Sequence, residues 1–220
     1  MQATEIEGVF KRNGRLYTIN LCKGMRVYGE SLKTVDGVEY RSWNPYRSKL
    51  AAAILKGIKI DTLNKNSKVL YLGAATGTTV SHLSDIVSEI YAVEYSAFAM
   101  KKLLELAKKR SNIIPILADA NHPHRYLSIV PKVDFLYQDI SQRNQVDIFI
   151  ENVDMYLKSD GRGLLMVKTR SIDVALPPEK IVVEIEEEIR KHGFNVLQKK
   201  YLKPYEKDHA ALLVEGNGNI

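Results

Sequence analysis

Glu94, Asp119 and Asp139 are the carboxylates around which chemistry can be built in this sequence, each at or just past the end of a largely apolar run. Upstream, Val69-Leu70-Tyr71-Leu72-Gly73-Ala74-Ala75-Thr76-Gly77-Thr78-Thr79 passes from a buried strand through small residues into a helix. Small residues let a backbone approach a ligand closely, and a helix start offers unpaired N–H groups. A dinucleotide cradle requires G-x-G-x-x-G, whereas this loop reads G-x-x-x-G, which argues against a bound pyrophosphate. Glu94 follows Gly73 by 21 positions, where a carboxylate can accept ribose hydroxyls. Taken singly, each acid reads equally as a helix cap or a solvated loop residue. Gathered at one edge beside a small-residue loop, they suit a nucleoside that carries a positive charge. S-adenosylmethionine, a sulfonium, meets that description.

A second set of residues has the types needed to move a proton: Lys49, Asp139, Lys168 and His209. A sulfonium methyl is a strong electrophile, but a ribose 2′-hydroxyl is a weak nucleophile, so a protein must align the two and help remove a proton. Lysine, with an ordinary pKa of about 10.4, is a poor base near neutrality unless burial or a second cation lowers it. Lys168 follows the apolar run Leu164–Val167, which would bury its stem and deliver its amine to the reaction edge; a simply exposed lysine is the other reading. Nothing in the spacing shows that the four meet. Arg170 and the segment 171–174 read either as a substrate rim or as a surface loop. His82, His122, His124 and His192 have no metal-ligand spacing, and methyl transfer from a sulfonium needs no metal.

The hydrophobic pattern supplies a scaffold for these residues. Strands are expected at 68–73, 90–95, 113–118, 133–137 and 163–168, separated by helices near 78–87, 97–110, 123–129 and 145–157. Such alternation predicts a parallel sheet covered by helices on both faces, with ligands at the C-terminal strand ends. A helix over 178–192 and strands at 194–202 and 210–214 form an antiparallel end. The expected fold is therefore α/β, a Rossmann-like, mostly parallel seven-stranded sheet with an antiparallel last strand, over residues 46–220. Ahead of it, Asn13-Gly14 and Asp36-Gly37 punctuate short strands over 6–43, predicting a small antiparallel β domain over 1–45 that needs something larger to pack on. Asn44-Pro45 closes it, and residues 49–56 form a helix ending at Gly57.

The 220 residues, 45% hydrophobic, fit one full domain with a small appendage. No apolar run approaches the roughly 18 residues that cross a bilayer, and the first residues lack the pattern of a signal peptide. Cys22 is the one cysteine, which excludes an intrachain disulfide and a cysteine-built zinc site. A reduced, cytoplasmic setting is expected. The first 60 residues hold 11 Lys and Arg against 5 Asp and Glu, while the rest balances at 21 of each, so the whole excess of +6 sits in the first quarter. That excess reads either as an attraction for RNA or as a solvated lysine-rich surface.

Several ordered segments resemble the fibrillarin family. Arg41-Ser42-Trp43-Asn44-Pro45-Tyr46-Arg47-Ser48-Lys49-Leu50-Ala51-Ala52 resembles its signature leading into the domain, and Leu72–His82 its cofactor loop. Val93-Glu94-Tyr95-Ser96, Asp119-Ala120, His122-Pro123, Tyr137–Gln142, Val167–Arg170 and Glu206–Ala210 follow in the family's order. The resemblance covers essentially the whole chain and implies an S-adenosylmethionine-dependent RNA 2′-O-methyltransferase of the compact archaeal type, without the glycine-arginine-rich extension of eukaryotic members. It implies a catalytic tetrad of Lys49, Asp139, Lys168 and His209. It also implies cofactor contacts from Gly73, Ala74, Thr78, Thr79, Glu94, Tyr95, Asp119, Ala120, Asp139 and Gln142. Tyr95 would pack on the adenine, or else serve as a core aromatic. The implied partners are a C/D-box guide RNA that selects an rRNA or tRNA nucleotide, a Nop-type scaffold protein and a kink-turn-binding ribosomal-like protein, with no membrane. Departures from the family's pattern are Thr76 for a frequent serine, Asn121 for a frequent arginine, and Ile140-Ser141-Gln142-Arg143 for Val-Ala-Gln-Pro; Asn121 and Arg143 bear on RNA or partner contacts. The competing readings are a methyltransferase of a small molecule or a protein (such as glutamine in a histone-like protein), and a non-catalytic scaffold of a ribonucleoprotein. Absence of any RRM, KH or OB pattern means that free protein should bind RNA weakly and without sequence choice.

Overall fold

Asn13, Gly14, Asp36 and Gly37 have φ of +50°, +75°, +50° and +77°, the left-handed backbone that both central positions of a two-residue hairpin require. The computed structural model, which describes residues 1–216, builds on these turns a sheet of β1 (Gln2–Ala3), β2 (Val9–Arg12), β3 (Arg15–Ile19), β4 (Leu32–Val35) and β5 (Val38–Trp43). Its order is β1-β2-β3-β5-β4, antiparallel throughout. β4 and β5 flank the Asp36-Gly37 turn within the expected run of short strands, whereas β1 lies ahead of it; two residues are too short to show a period of their own and take strand form from β2.

The remainder runs α1 (Lys49–Leu55), β6 (Lys68–Leu72), α2 (Thr78–Leu83), β7 (Glu89–Glu94), α3 (Ala97–Ala107), β8 (Ile113–Leu117), a 3-10 turn (Pro123–Tyr126), β9 (Val133–Gln138), α4 (Gln145–Tyr156), β10 (Leu157–Lys168), α5 (Thr169–Ile172), α6 (Pro178–Lys191), β11 (Asn195–Tyr201) and β12 (His209–Glu215). These strands form the expected seven-stranded sheet, in the order β11-β12-β10-β9-β6-β7-β8. Only β12 runs against both of its neighbours. The chain leaves β6 toward β7 and β8, then crosses back to β9 and β10, so the strand order reverses between β6 and β9. Ligands of open α/β sheets bind at such a reversal.

Two helices are shorter than their sequence pattern predicts. Past α2, Asn112 Nδ2 donates to the carbonyls of Ser84 and Val87 at 2.9 and 3.0 Å, giving those groups partners outside a helix. At the 3-10 turn, Tyr156 donates its hydroxyl to the Pro123 carbonyl at 2.6 Å, the acceptor that an α-helix would need four residues later. Among the described residues no helix is long and apolar enough to cross a membrane.

Side chains alternate across the large sheet: Val69 and Tyr71 enter one core, Leu70 and Leu72 the other. The first core also takes in Ile6, Val9, Leu16 and Trp43 of the small sheet, which supplies the packing that a sheet of this size lacks alone. Charge reinforces the junction. Arg41 contacts Glu30 at 2.6 Å and Asp85 at 2.8 Å, and Arg110 contacts Asp85 at 2.6 Å, all with fully buried side chains. Two cations against two anions leave this cluster neutral, and Ser81 and Ser84 satisfy more of its donors. His82 of α2 stacks on Trp43 at 5.0 Å. Thr18 donates its proton to Asp85 at 2.7 Å, so His82 Nδ1–H donates to the Thr18 oxygen at 2.9 Å and Nε2 accepts from Tyr28 at 2.8 Å. Burial, with Arg41 and Arg110 close by, holds the His82 pKa well below its usual range. The small sheet thus grips the helix that carries the cofactor loop.

Candidate active site

The ends of β6, β7 and β9 are sewn together at the point where strand order reverses. Gly73 N and Ala74 N both donate to the Val93 carbonyl at 3.0 Å, and Asp139 N donates to the Leu72 carbonyl at 3.0 Å. Gly73 has φ of +82°, and a Cβ there would lie 2.5 Å from the Asp139 carbonyl oxygen. Only a residue without a side chain lets the loop lie this close to the tail of β9. Beneath it, the buried rings of Tyr71 and Tyr137 pack at 4.6 Å. Burial above all, together with nearby Asp139, pushes both phenol pKa values up, so the floor under Asp139 is uncharged.

A cleft of about 290 Å³ opens here, lined by Gly73, Glu94, Tyr95, Asp119, Ala120, Asp139 and Gln142, with Ala75, Ile140 and Ser141 among its other walls. Glu94 accepts Ala75 N and Ser96 N at 2.7 Å each, so backbone donors aim a carboxylate that keeps further lone pairs for a ligand. Tyr95 is 74% exposed, which removes the core-aromatic reading and leaves its ring free at the rim. Asp119 accepts Asn121 Nδ2 at 2.8 Å and Asn121 N at 3.0 Å. Those bonds, the side-chain one foremost, hold the Asp119 pKa below its ordinary value. The Asn121 amide also donates to Gln142 Oε1 at 3.1 Å, and its oxygen accepts Asn144 Nδ2 at 2.7 Å. Asn121 therefore ties one wall of the cleft to the opposite one.

Ala74, Thr78 and Thr79 do not line this cleft. Ala74 is buried. Thr79 is buried as well, and donates to Ser48 Oγ at 3.0 Å. Ser48 in turn caps α1 by accepting Ala51 N, so Thr79 fixes the helix that bears Lys49 to the loop. Thr78 faces a separate groove.

The four proton-handling candidates appear as two pairs. Lys49 Nζ lies 2.9 Å from both Asp139 oxygens. Lys168 and His209 are direct cross-strand partners of β10 and β12. No hydrogen bond joins one pair to the other among the described residues. His209 Nδ1 donates to the Lys207 carbonyl at 2.9 Å, which leaves Nε2 a buried acceptor without a protein partner. Arg170 lies 3.4 Å from Asp208, on the turn between β11 and β12.

Three residues of the site escaped the sequence reading. The Gln145 side chain, fully buried, accepts Lys168 N at 3.0 Å and reaches the Lys168 carbonyl at 3.4 Å; no local pattern marks it. Ser48 shows only as a helix-cap type, and Asn121 only as a departure from a pattern.

The chain as a whole has counterparts among known proteins. The fibrillarin family model matches residues 1–217. A protein of Methanothermobacter thermautotrophicus called a fibrillarin-like rRNA/tRNA 2′-O-methyltransferase is 48% identical over 212 residues, 96% of this chain and 95% of its own. Fibrillarin of Aeropyrum pernix, solved with natively bound S-adenosyl-L-methionine, superposes with a TM-score of 0.83 at 40% identity, covering 91% of this chain and 88% of that one. The fibrillarin of a fibrillarin/Nop5p complex superposes with a TM-score of 0.87 at 46% identity, covering 96% and 98%. Because the match runs through both sheets and nearly the full length, at almost half identity, this chain belongs to the fibrillarin family.

Proposed function

We propose that this chain transfers the methyl group of S-adenosylmethionine to ribose 2′-hydroxyls of rRNA and tRNA. The observation that carries the reading is the Lys49–Asp139 pair beside a cleft walled by Glu94 and Asp119. The residues fit the cofactor. Asp119, its pKa held down by Asn121, is anionic at neutral pH and suits a cation. The close approach at Gly73 lets a ligand lie against bare backbone. Glu94, Tyr95, Asp119 and Gln142 would hold the nucleoside and amino-acid parts, and bound S-adenosylmethionine supplies an electrophilic methyl on sulfur.

The chain's own residues then have two tasks. One is alignment: Lys49 holds the Asp139 carboxylate through both oxygens, and Gln145 fixes the backbone of Lys168. The other is removal of the proton that the ribose hydroxyl loses as its oxygen takes the methyl. Asp139, Lys168 and His209 are the groups of this edge that orient the hydroxyl, and the proton passes to a free lone pair among them, on the Asp139 carboxylate, the His209 imidazole or the Lys168 amine in its neutral form.

The finer assignment is a guide ribonucleoprotein in the cytoplasm. A C/D-box RNA would select the nucleotide, a Nop-type scaffold would hold the enzyme, and a kink-turn-binding ribosomal-like protein would anchor the RNA. The fibrillarin/Nop5p complex supports the scaffold, and the rRNA/tRNA methyltransferase of M. thermautotrophicus supports the substrate class. The test is transfer of labelled methyl groups with and without guide RNA and scaffold. Methylation of one ribose set by the guide is expected. Guide-independent methylation of a protein or small molecule would replace this reading by a different substrate, and no transfer at all would leave a scaffold.

A further inference from the structure

A groove of about 600 Å³ lies on the other side of the cofactor loop, between residues 25–28, the loop at Thr76 and Thr78, and α3. Arg26, Arg47, Lys101, Lys102 and Lys109 line it, and all five are exposed. None of them forms an ion pair among the described residues. Glu105 is the one carboxylate among the lining residues, and it lies 2.6 Å from Lys108. Glu39, which accepts N–H groups of Asn20 and Gly24, lies near both Arg26 and Lys23, so its one negative charge is shared with a further cation outside the lining. Five cations against one anion put +4 in one groove of a chain whose total is +6. Like charges gathered this closely repel, and a polyanion relieves that repulsion.

We infer that this groove is the track of the RNA phosphate backbone next to the nucleotide being methylated. Continuity with the reaction edge favours RNA over other anions. The loop that lines the groove with Thr76 and Thr78 lines the cofactor cleft with Gly73 and Ala75. Arg47 stands two residues before Lys49. A strand that places a ribose at the Lys49–Asp139 pair therefore carries its neighbouring phosphates over the loop toward Arg47 and α3. Arg47 lies over the Tyr28 ring at 5.8 Å and Lys102 over the Phe98 ring at 5.6 Å, contacts that steady a cation without neutralising it. Lys101 and Lys102 lie on α3 and Lys109 just past its end, eight positions after Lys101, so the three charges are spread along the groove.

The inference rests on the RNA-methyltransfer reading, and the two fail separately. If the unmodified protein transfers no methyl in a guide particle, that reading fails, whatever the groove does. The groove is tested by RNA binding to the full chain between 50 and 200 mM salt. Lys101→Gln/Lys102→Gln/Lys109→Gln is expected to weaken binding of a single-stranded RNA about tenfold and to flatten the log–log salt slope by about 2. Lys101→Arg/Lys102→Arg/Lys109→Arg should restore both, and S-adenosylmethionine affinity should stay at the parental value in all variants, reporting an intact fold. Lys132→Gln/Lys180→Gln/Lys191→Gln removes the same charge elsewhere and should change the slope little. Parental affinity and slope in the first variant, or equal losses in the last, would overturn the inference. So would a polyglutamate peptide that binds more tightly than RNA and loses that binding in the first variant, because the groove would then serve an acidic protein.

Discussion

Lys49 and Asp139 meet through both carboxylate oxygens at 2.9 Å, each side chain only one-fifth exposed. The lysine opens α1 and the aspartate follows β9, 90 residues later, so the contact is a product of the fold. A pair shielded to this degree directs both groups, where an exposed pair would contribute little. Lys49→Ala is expected to slow methyl transfer by about 10²-fold or more, the scale of positioned acid–base groups. S-adenosylmethionine affinity should stay within a few-fold, because the carboxylate that remains still suits a sulfonium. Single-turnover transfer in a reconstituted particle, beside titration calorimetry of the cofactor, checks both; a parental rate would remove the pair from the mechanism.

Asn121 should govern cofactor affinity more than turnover. It joins Asp119 to Gln142 and Asn144 across the cleft. Hydrogen bonds to charged groups contribute about 1.5–3 kcal/mol when shielded, and solvent reaching this rim reduces that value. Asn121→Ala is expected to weaken S-adenosylmethionine binding several-fold while leaving the single-turnover rate at saturating cofactor near the parental value. Calorimetry showing unchanged affinity would make the network incidental.

Gly73 and Gly77 share left-handed backbone, at φ of +82° and +89°, so an alanine at either carries a similar strain of about 1–2 kcal/mol. Their surroundings differ. A Cβ at Gly73 meets the Asp139 backbone oxygen at 2.5 Å, whereas at Gly77 it meets the tip of Leu106 at 2.6 Å. Leu106 can turn aside and the strand end cannot. Gly73→Ala is therefore expected to abolish measurable cofactor binding, and Gly77→Ala to retain it with a lower melting temperature. Equal binding losses would contradict this.

His82 gives the fold a pH dependence of definite sign. Its folded pKa lies well below 6.5, through burial first and then Arg41 and Arg110. An unfolded chain binds this proton below about pH 6.5 while the folded one does not, so stability is full above that pH and falls as pH drops below it. The slope from this one group is about 1.4 kcal/mol per pH unit. Chemical denaturation at pH 7, 6 and 5 should show it, and His82→Gln should be less stable at pH 7 but flatter over that range. The carboxylates whose pKa values are lowered, such as Glu30 and Asp119, lose their contribution only further into acid. An equal slope in the variant would assign the effect to another group.

The elements that position the site were legible because their signals are local. Asn-Gly and Asp-Gly turns, alternating apolar strands and Gly57 after α1 act over a few residues, and the structure follows them. Glu94, Asp119 and Asp139 at one edge were also foreseeable, since a parallel sheet puts all of its C-terminal ends on one side. What the sequence hid depends on side chains that meet across long separations. Gln145 clamps a residue 23 positions away, and Thr79 reaches Ser48. Glu30, Arg41, Asp85 and Arg110 are types normally found at surfaces, and only their mutual neutralisation makes burial tolerable.

The most direct test of the account is methyl transfer by Lys168→Ala in a particle reconstituted with guide RNA and scaffold. Lys168 ends β10 beside His209, its backbone held by Gln145. Transfer to the guided ribose is expected to fall by about 10²-fold or more, with S-adenosylmethionine affinity within a few-fold of the parent. Parental turnover in that variant would contradict the assignment of this edge as the place where the ribose hydroxyl is aligned and loses its proton.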